Sequence, residues 1–158
     1  MDESEANLLK LLRESAAEAL RFLSNNGREE RERWVVSEFL KCQKVEFSEL
    51  ELRSPIRHSK VDIEFYDARF QIKEILNPGT MRYRDAKARY DHLMAATSCK
   101  DIIWPMFGYD VPPISTIYSL VAAEATALSA TRNYAIEKAD LDLIFYVTRS
   151  RDAQIEKE

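Results

Sequence analysis

Four polar residues with the chemistry of a hydrolytic site fall on one face of a predicted β-hairpin. Residues 60–66 (KVDIEFY) and 69–76 (RFQIKEIL) both alternate apolar and polar side chains, which indicates two strands joined at Asp67-Ala68. Side chains alternate across a strand, so the apolar residues share one face. With this turn, Tyr66 faces Arg69, and the other face carries two opposed pairs, Glu64 with Gln71 and Asp62 with Lys73.

Two carboxylates, a carboxamide and an amine suit metal-assisted phosphodiester hydrolysis. Mg²⁺ takes hard oxygen ligands, which carboxylates, an amide oxygen and a main-chain carbonyl supply, and it keeps several of its waters. A nearby ammonium can orient the attacking water and neutralise charge that develops on the phosphate. The alternative is an ordinary surface ladder in which Asp62 and Lys73 form a cross-strand ion pair.

The remaining reactive residue types give no comparable pattern. His58 and His92 are the two histidines, and their spacing does not suggest metal ligation. Cys42 and Cys99 are too few and too far apart for a zinc module or a disulfide framework, so we expect reduced, buried thiols. The three glycines are isolated, which excludes a glycine-rich phosphate loop and a dinucleotide-binding fingerprint.

Hydrophobic periodicity predicts a mixed α/β (α+β) domain with a single sheet, a β-meander flanked by helices. We expect one domain over residues 1–158. It comprises an N-terminal helix within 4–27, a core at 28–100, an aromatic loop, helix and final strand at 101–150, and a frayed tail at 151–158. The predicted elements are helices at 4–24, 28–42, 81–97 and 114–134, and strands at 45–53, 60–66, 69–76, 101–104 and 141–148.

Charge is distributed unevenly along the chain. The net charge of −4 is the sum of −4 over residues 1–52, +4 over 53–100 and −4 over 101–158. A basic middle third can present a positive face to a polyanion, although a solvated mixed surface explains the same numbers. No secretory signal or membrane-length apolar run is visible, so we predict a cytoplasmic protein with no membrane association. A homodimer through the first helix remains open.

The spacing from Asp62 to Gln71-Ile72-Lys73 resembles the signature of the PD-(D/E)XK nuclease superfamily. The order of elements over residues 28–100 also resembles its restriction-endonuclease-like core. More closely, the whole chain resembles a small family of bacterial proteins of unknown function that are described as candidate endonucleases. The resemblance implies a Mg²⁺- or Mn²⁺-dependent hydrolase that cleaves phosphodiester bonds in DNA.

The resemblance also implies roles for individual residues. Asp62, Gln71 and the Ile72 carbonyl would hold the metal, Lys73 would position the water, and Glu38 or Glu64 would assist. The helix after the motif would contact phosphates through four basic residues: Arg82, Arg84, Lys87 and Arg89.

Two residues depart from the superfamily pattern. Val61 replaces its proline, and Gln71 replaces its second acidic residue, which removes one negative charge from the metal site. The alternative function is therefore an inactive nuclease-like domain that binds nucleic acid or a protein partner. The aromatic loop, with Trp104, Phe107 and Tyr109, fits either base stacking or, more commonly, a core cap or a partner interface.

Overall fold

The described residues group into two compact units. A computed structural model describes residues 3–55, 60–76, 82–102, 113–130 and 141–147. One unit comprises Met1–Arg31 and Gly79–Gly108, and the other comprises Glu32–Pro78 and Tyr109–Glu158. The third helix, which the sequence placed in the nuclease-like core at 28–100, thus belongs to the first unit. The single domain over residues 1–158 stays a prediction.

The first unit is built on two packed helices, α1 (Glu3–Leu23) and α3 (Arg82–Ala95). Leu9 and Ala16 of α1 are buried, as is Leu93 of α3. Leu8, next to Leu9 in the chain, is 49% exposed. Leu9 and Ala16 are seven residues apart, about two helical turns, so they lie on the same face of α1.

An arginine ties the two helices together. The Arg13 guanidinium on α1 donates from Nε to the Leu93 carbonyl at 3.0 Å and from Nη2 to the Ala96 carbonyl at 2.7 Å. The last carbonyls of a helix have no partner within the helix, and a guanidinium satisfies them while its positive charge complements the helix dipole. These two hydrogen bonds therefore hold the carboxyl end of α3 against α1.

Helix α1 ends at a tight turn before the next helix. Asn25–Gly27 form a single 3-10 turn, and α2 (Arg28–Cys42) follows at once, which confirms the helix predicted at 28–42. Gly27 is required by close packing, since a Cβ at this position would lie 2.4 Å from the Phe22 carbonyl oxygen.

The second unit contains one mixed sheet of four described strands, which confirms the predicted fold class. In spatial order these are β1 (Leu52–Arg53), β2 (Ile63–Phe65), β3 (Ala68–Ile75) and β4 (Asp142–Val147). The first three form an antiparallel meander, and β4 pairs parallel to β3. Helix α4 (Ile114–Ala130) precedes β4 in the chain.

Helix α2 packs against the apolar face of the meander. Val36 and Leu40 of α2 form one buried cluster with side chains of the three antiparallel strands: Leu52, Ile63, Phe65 and Phe70. Phe39 adds an edge-on ring contact with Phe70, with the centroids 5.9 Å apart. The side chains that alternate with these strand residues point to the opposite face of the sheet.

Three local predictions were wrong. The predicted strand at 45–53 is reduced to Leu52–Arg53, because Ser48 and Glu51 form a capping box that starts a 3-10 helix at Glu49. The predicted strand at 101–104 is a 3-10 helix up to Ile102. Cys42, expected to be buried, is exposed at the end of α2, and Cys99 is partly exposed.

Some predictions concern residues outside the described ranges. They include His58, the aromatic residues Trp104, Phe107 and Tyr109, and the tail at 151–158. Among the described helices, none combines the length and the apolar character needed to cross a membrane.

Candidate functional site

The β2–β3 hairpin has a different register from the predicted one. Tyr66 and Asp67 form the turn, and Tyr66 has a left-handed backbone with φ of 51°. Glu64 therefore lies opposite Arg69, and not opposite Gln71 as predicted. The Tyr66 hydroxyl donates to the Glu51 carboxylate, which holds this residue in the turn. The shift equals two residues, so every side chain keeps its predicted face.

Asp62 extends the hairpin with its side chain. It lies one residue before β2, and its N–H donates to the Phe70 carbonyl at 2.8 Å. Its carboxylate Oδ2 accepts the Ile72 N–H, also at 2.8 Å, in place of a main-chain acceptor. The main-chain N–H and C=O of Ile72 point toward the same neighbouring strand, because a residue in a β-strand presents both groups on one side. The Asp62 carboxylate and the Ile72 carbonyl are thus on the same side of β3.

Gln71 lies between Phe70 and Ile72, the two residues that Asp62 contacts, and the Gln71 side chain is buried. It is 6% exposed, and its Oε1 has no hydrogen-bond partner among the described residues. A buried amide oxygen without a partner costs about 1–3 kcal/mol, so such an atom calls for a ligand or water. Lys73 lies on the same face of β3 as Gln71 and, like Asp62, is only partly buried.

These donors fit a hard divalent cation that is only partly held by protein. A carboxylate, a carbonyl oxygen and an unpartnered amide oxygen are ligand types that Mg²⁺ accepts, and Mg²⁺ commonly binds one or two carboxylates and completes its shell with water and phosphate. Among the described residues, no three His, Cys, Asp or Glu side chains come together as a metal centre. Of the three candidate donors, one is a carboxylate, that of Asp62.

Glu38 does not lie with these candidate metal donors. Its carboxylate accepts from the Lys41 ammonium at 2.7 Å, and both side chains are about half exposed. Helix α2 packs on the apolar face of the meander, whereas Gln71 and Lys73 point to the other face. The assisting role of Glu38 stays a prediction, and so does that of Glu64.

Glu64 lies between two arginines for which the sequence predicted no role in the site. Its partner in β1 is Arg53, and its partner in β3 is Arg69. Directly opposed residues lie on one face with Cβ atoms about 5 Å apart, so this row of the sheet carries Arg, Glu and Arg side by side. Hydrophobic alternation could not reveal the row, because it depends on the pairing partners of three strands.

The four predicted phosphate-contacting residues lie on α3, in the first unit. Arg82 is partly buried on the side of the helix that includes Leu93, whereas Arg84, Lys87 and Arg89 are exposed. Lys87 donates to Asp91 at 2.7 and 3.0 Å, and this hydrogen bond raises the pKa of Lys87. Phosphate contact by all four stays a prediction.

Comparisons with known proteins give a family and a weak structural likeness. No curated protein matches the chain. A solved structure of a protein of unknown function from Pseudomonas aeruginosa strain PAO1, described as a member of the monooxygenase superfamily, shares 23% sequence identity with a TM-score of 0.49. The match covers 93% of this chain and 64% of that chain. A family model matches residues 4–158. The chain therefore belongs to the family described as "Putative endonuclease, protein of unknown function (DUF1780)".

Proposed function

We propose that this protein is a Mg²⁺-dependent endonuclease of the PD-(D/E)XK type that hydrolyses phosphodiester bonds in DNA. The family description and the resemblance of Asp62, Gln71-Ile72-Lys73 to the superfamily signature point in the same direction. Mn²⁺ would serve as an alternative metal because it also prefers oxygen ligands.

One observation carries the proposal. The Asp62 carboxylate is bound to the Ile72 N–H, and the preceding residue, Gln71, has an amide oxygen that is buried without a hydrogen-bond partner among the described residues. A surface ladder of charges does not require a buried, unsatisfied amide, since an exposed glutamine is satisfied by water. A site that completes its bonding with a cation explains why this oxygen is kept.

The residues have different proposed roles, which follow from the chemistry of their side chains. Asp62, the Gln71 amide oxygen and the Ile72 carbonyl would hold the cation, which when bound supplies positive charge at the phosphate and lowers the pKa of its water. The Asp62 carboxylate is oriented by its bond from the Ile72 N–H, so it does not need to reorganise. The Lys73 ammonium would hold the attacking water by a hydrogen bond and offset charge on the phosphate oxygens.

Cleavage of a labelled DNA duplex in Mg²⁺ tests this function. Asp62→Asn keeps the size and the hydrogen bond to Ile72 but removes the charge, and Lys73→Met removes the ammonium. We expect each variant to lose at least about a hundredfold in rate, the scale of one electrostatic catalytic group. Lys44→Met, at an exposed position just beyond α2, is the matched control and should cleave like the parent. Full cleavage by Asp62→Asn and Lys73→Met would refute the assignment.

The second candidate function is an inactive member of the same fold that binds nucleic acid or a protein partner. It is favoured by Gln71 and by the lack of a three-residue acidic centre in the described ranges. Titration calorimetry with Mg²⁺ and Mn²⁺ separates the two. Saturable binding in the millimolar range that Asp62→Asn abolishes supports the enzyme, and no binding supports the inactive domain.

A further inference from the structure

We propose that Arg53 and Arg69 bind a nucleic-acid phosphate next to the one that reacts, with Glu64 lying between them in the sheet. The inference rests on the proposed function for the identity of the reacting phosphate. The binding site itself depends only on the strand pairing and on the charges of these three residues.

Strand register places the three side chains together. Arg53 of β1 pairs with Glu64 of β2, and Glu64 pairs with Arg69 of β3. All three therefore project from one face of the meander, the face opposite Ile63 and Phe70. Both arginines are exposed, and neither makes an ion pair or side-chain hydrogen bond with another described residue. Their donors are thus available to a ligand.

The charges of the row do not cancel. Two guanidiniums flank one carboxylate, which leaves an excess of one positive charge, and Lys73 adds a further cation on the same face. Glu64 reduces the repulsion between the arginines, which are separated by two strand spacings of about 4.8 Å. A phosphate placed over the row can accept from both guanidinium groups, each of which presents a planar fork of donors that suits phosphate oxygens.

Distance along the strand links the row to the candidate metal site. Arg69 of the row and Gln71 of the candidate metal site are two residues apart on β3. Glu64 of β2 and Asp62, just before β2, are also two residues apart. Two residues of extended chain span about 6.8 Å, comparable with the separation of neighbouring phosphates on one nucleic-acid strand. A DNA strand whose reacting phosphate lies at Asp62 therefore places its adjacent phosphate at the two arginines.

The proposal assigns Glu64 a role different from metal ligation. A metal ligand at this position predicts weaker Mg²⁺ binding in Glu64→Gln, with no gain in DNA affinity. A carboxylate that only lies between two phosphate-binding arginines predicts the reverse: unchanged Mg²⁺ binding and tighter DNA binding, because one negative charge facing the phosphate is removed.

The test is DNA binding without metal, so that it does not depend on cleavage. A fluorescein-labelled DNA duplex is titrated with parent, Arg53→Gln, Arg69→Gln and Glu64→Gln proteins in a chelator, with anisotropy as the readout at several salt concentrations. Lys41→Gln, which removes one positive charge from the opposite side of the meander, is the matched control. Circular dichroism checks that each variant is folded.

We expect each arginine variant to bind about three- to tenfold more weakly and to lower the salt slope by about one. Glu64→Gln should bind more tightly, and Lys41→Gln should match the parent. Parent-like binding by both arginine variants, or an equal loss in Lys41→Gln, would overturn the proposal. Arginine-dependent binding without any cleavage leaves the phosphate site standing while the nuclease assignment fails. Cleavage of DNA together with parent-like binding by the arginine variants supports the nuclease assignment and overturns the phosphate site.

Discussion

Replacing Gln71 by glutamate tests the candidate metal site directly. Gln71→Glu adds a charged oxygen at nearly the same size and place, where the side chain is 6% exposed. Ligand charge is one determinant of affinity for hard cations, so the variant should bind Mg²⁺ more tightly than the parent. Without metal it should be less stable, because a second carboxylate is buried near Asp62.

The expected changes are large enough to measure. Burial of an unsatisfied charged group costs at least about 2 kcal/mol, and each kcal/mol lowers the Tm of a chain this size by about 2–4 °C. A cation at ten times its Kd stabilises by about 1.4 kcal/mol, and at a hundred times by about 2.7 kcal/mol. A tenfold gain in affinity therefore makes the Mg²⁺-induced rise in Tm about 3–5 °C greater in Gln71→Glu than in the parent.

The assay is a set of paired thermal melts in chelator and in millimolar Mg²⁺. Gln43→Glu makes the same chemical change at an exposed position just beyond α2, and it should alter neither the stability nor the metal response. Asp62→Asn should remove the metal response of both the parent and Gln71→Glu. Equal Mg²⁺ responses in parent and Gln71→Glu would refute the metal site, because a surface ladder has no reason to distinguish them.

Three further predictions concern the first unit. Arg13→Ala should cost about 2 kcal/mol, since it removes two charge-assisted bonds to main-chain carbonyls, and chemical denaturation should show no such loss for the exposed control Arg84→Ala. Gly27→Ala should lower the Tm by several degrees, because its Cβ would overlap the Phe22 carbonyl; an unchanged Tm would contradict the packing. Hydrogen bonds to Asp101, first that from the Thr97 N–H, lower the pKa of its carboxyl. The stability that this carboxylate contributes is therefore present above the pKa that Asp101 has in the unfolded chain, and it is lost as pH falls through the lower pKa of the folded protein. Asp101→Asn should therefore be less stable than the parent at neutral pH and equal to it in acid, as melts across pH 2–7 can check.

The sequence by itself determined which face each hairpin residue occupies. Alternation has a period of two, and the observed register differs from the predicted one by two residues, so Gln71 and Lys73 remain on the face opposite Phe70. Helix α2 was also predictable, since an Asn-Asn-Gly stop precedes it and its second half carries apolar residues at helical spacing. These are local properties that a short segment fixes without its neighbours.

Only the tertiary structure decided which residues meet across the strands. The turn at Tyr66 and Asp67 places Glu64 opposite Arg69, and the Tyr66 hydroxyl donates to Glu51, a residue of a separate segment. Gln71 is buried partly because β3 is a central strand, paired on its far side with β4, about 70 residues later in the chain. Contacts between distant segments depend on the packing of the whole unit, and no short-range periodicity in a single sequence encodes them.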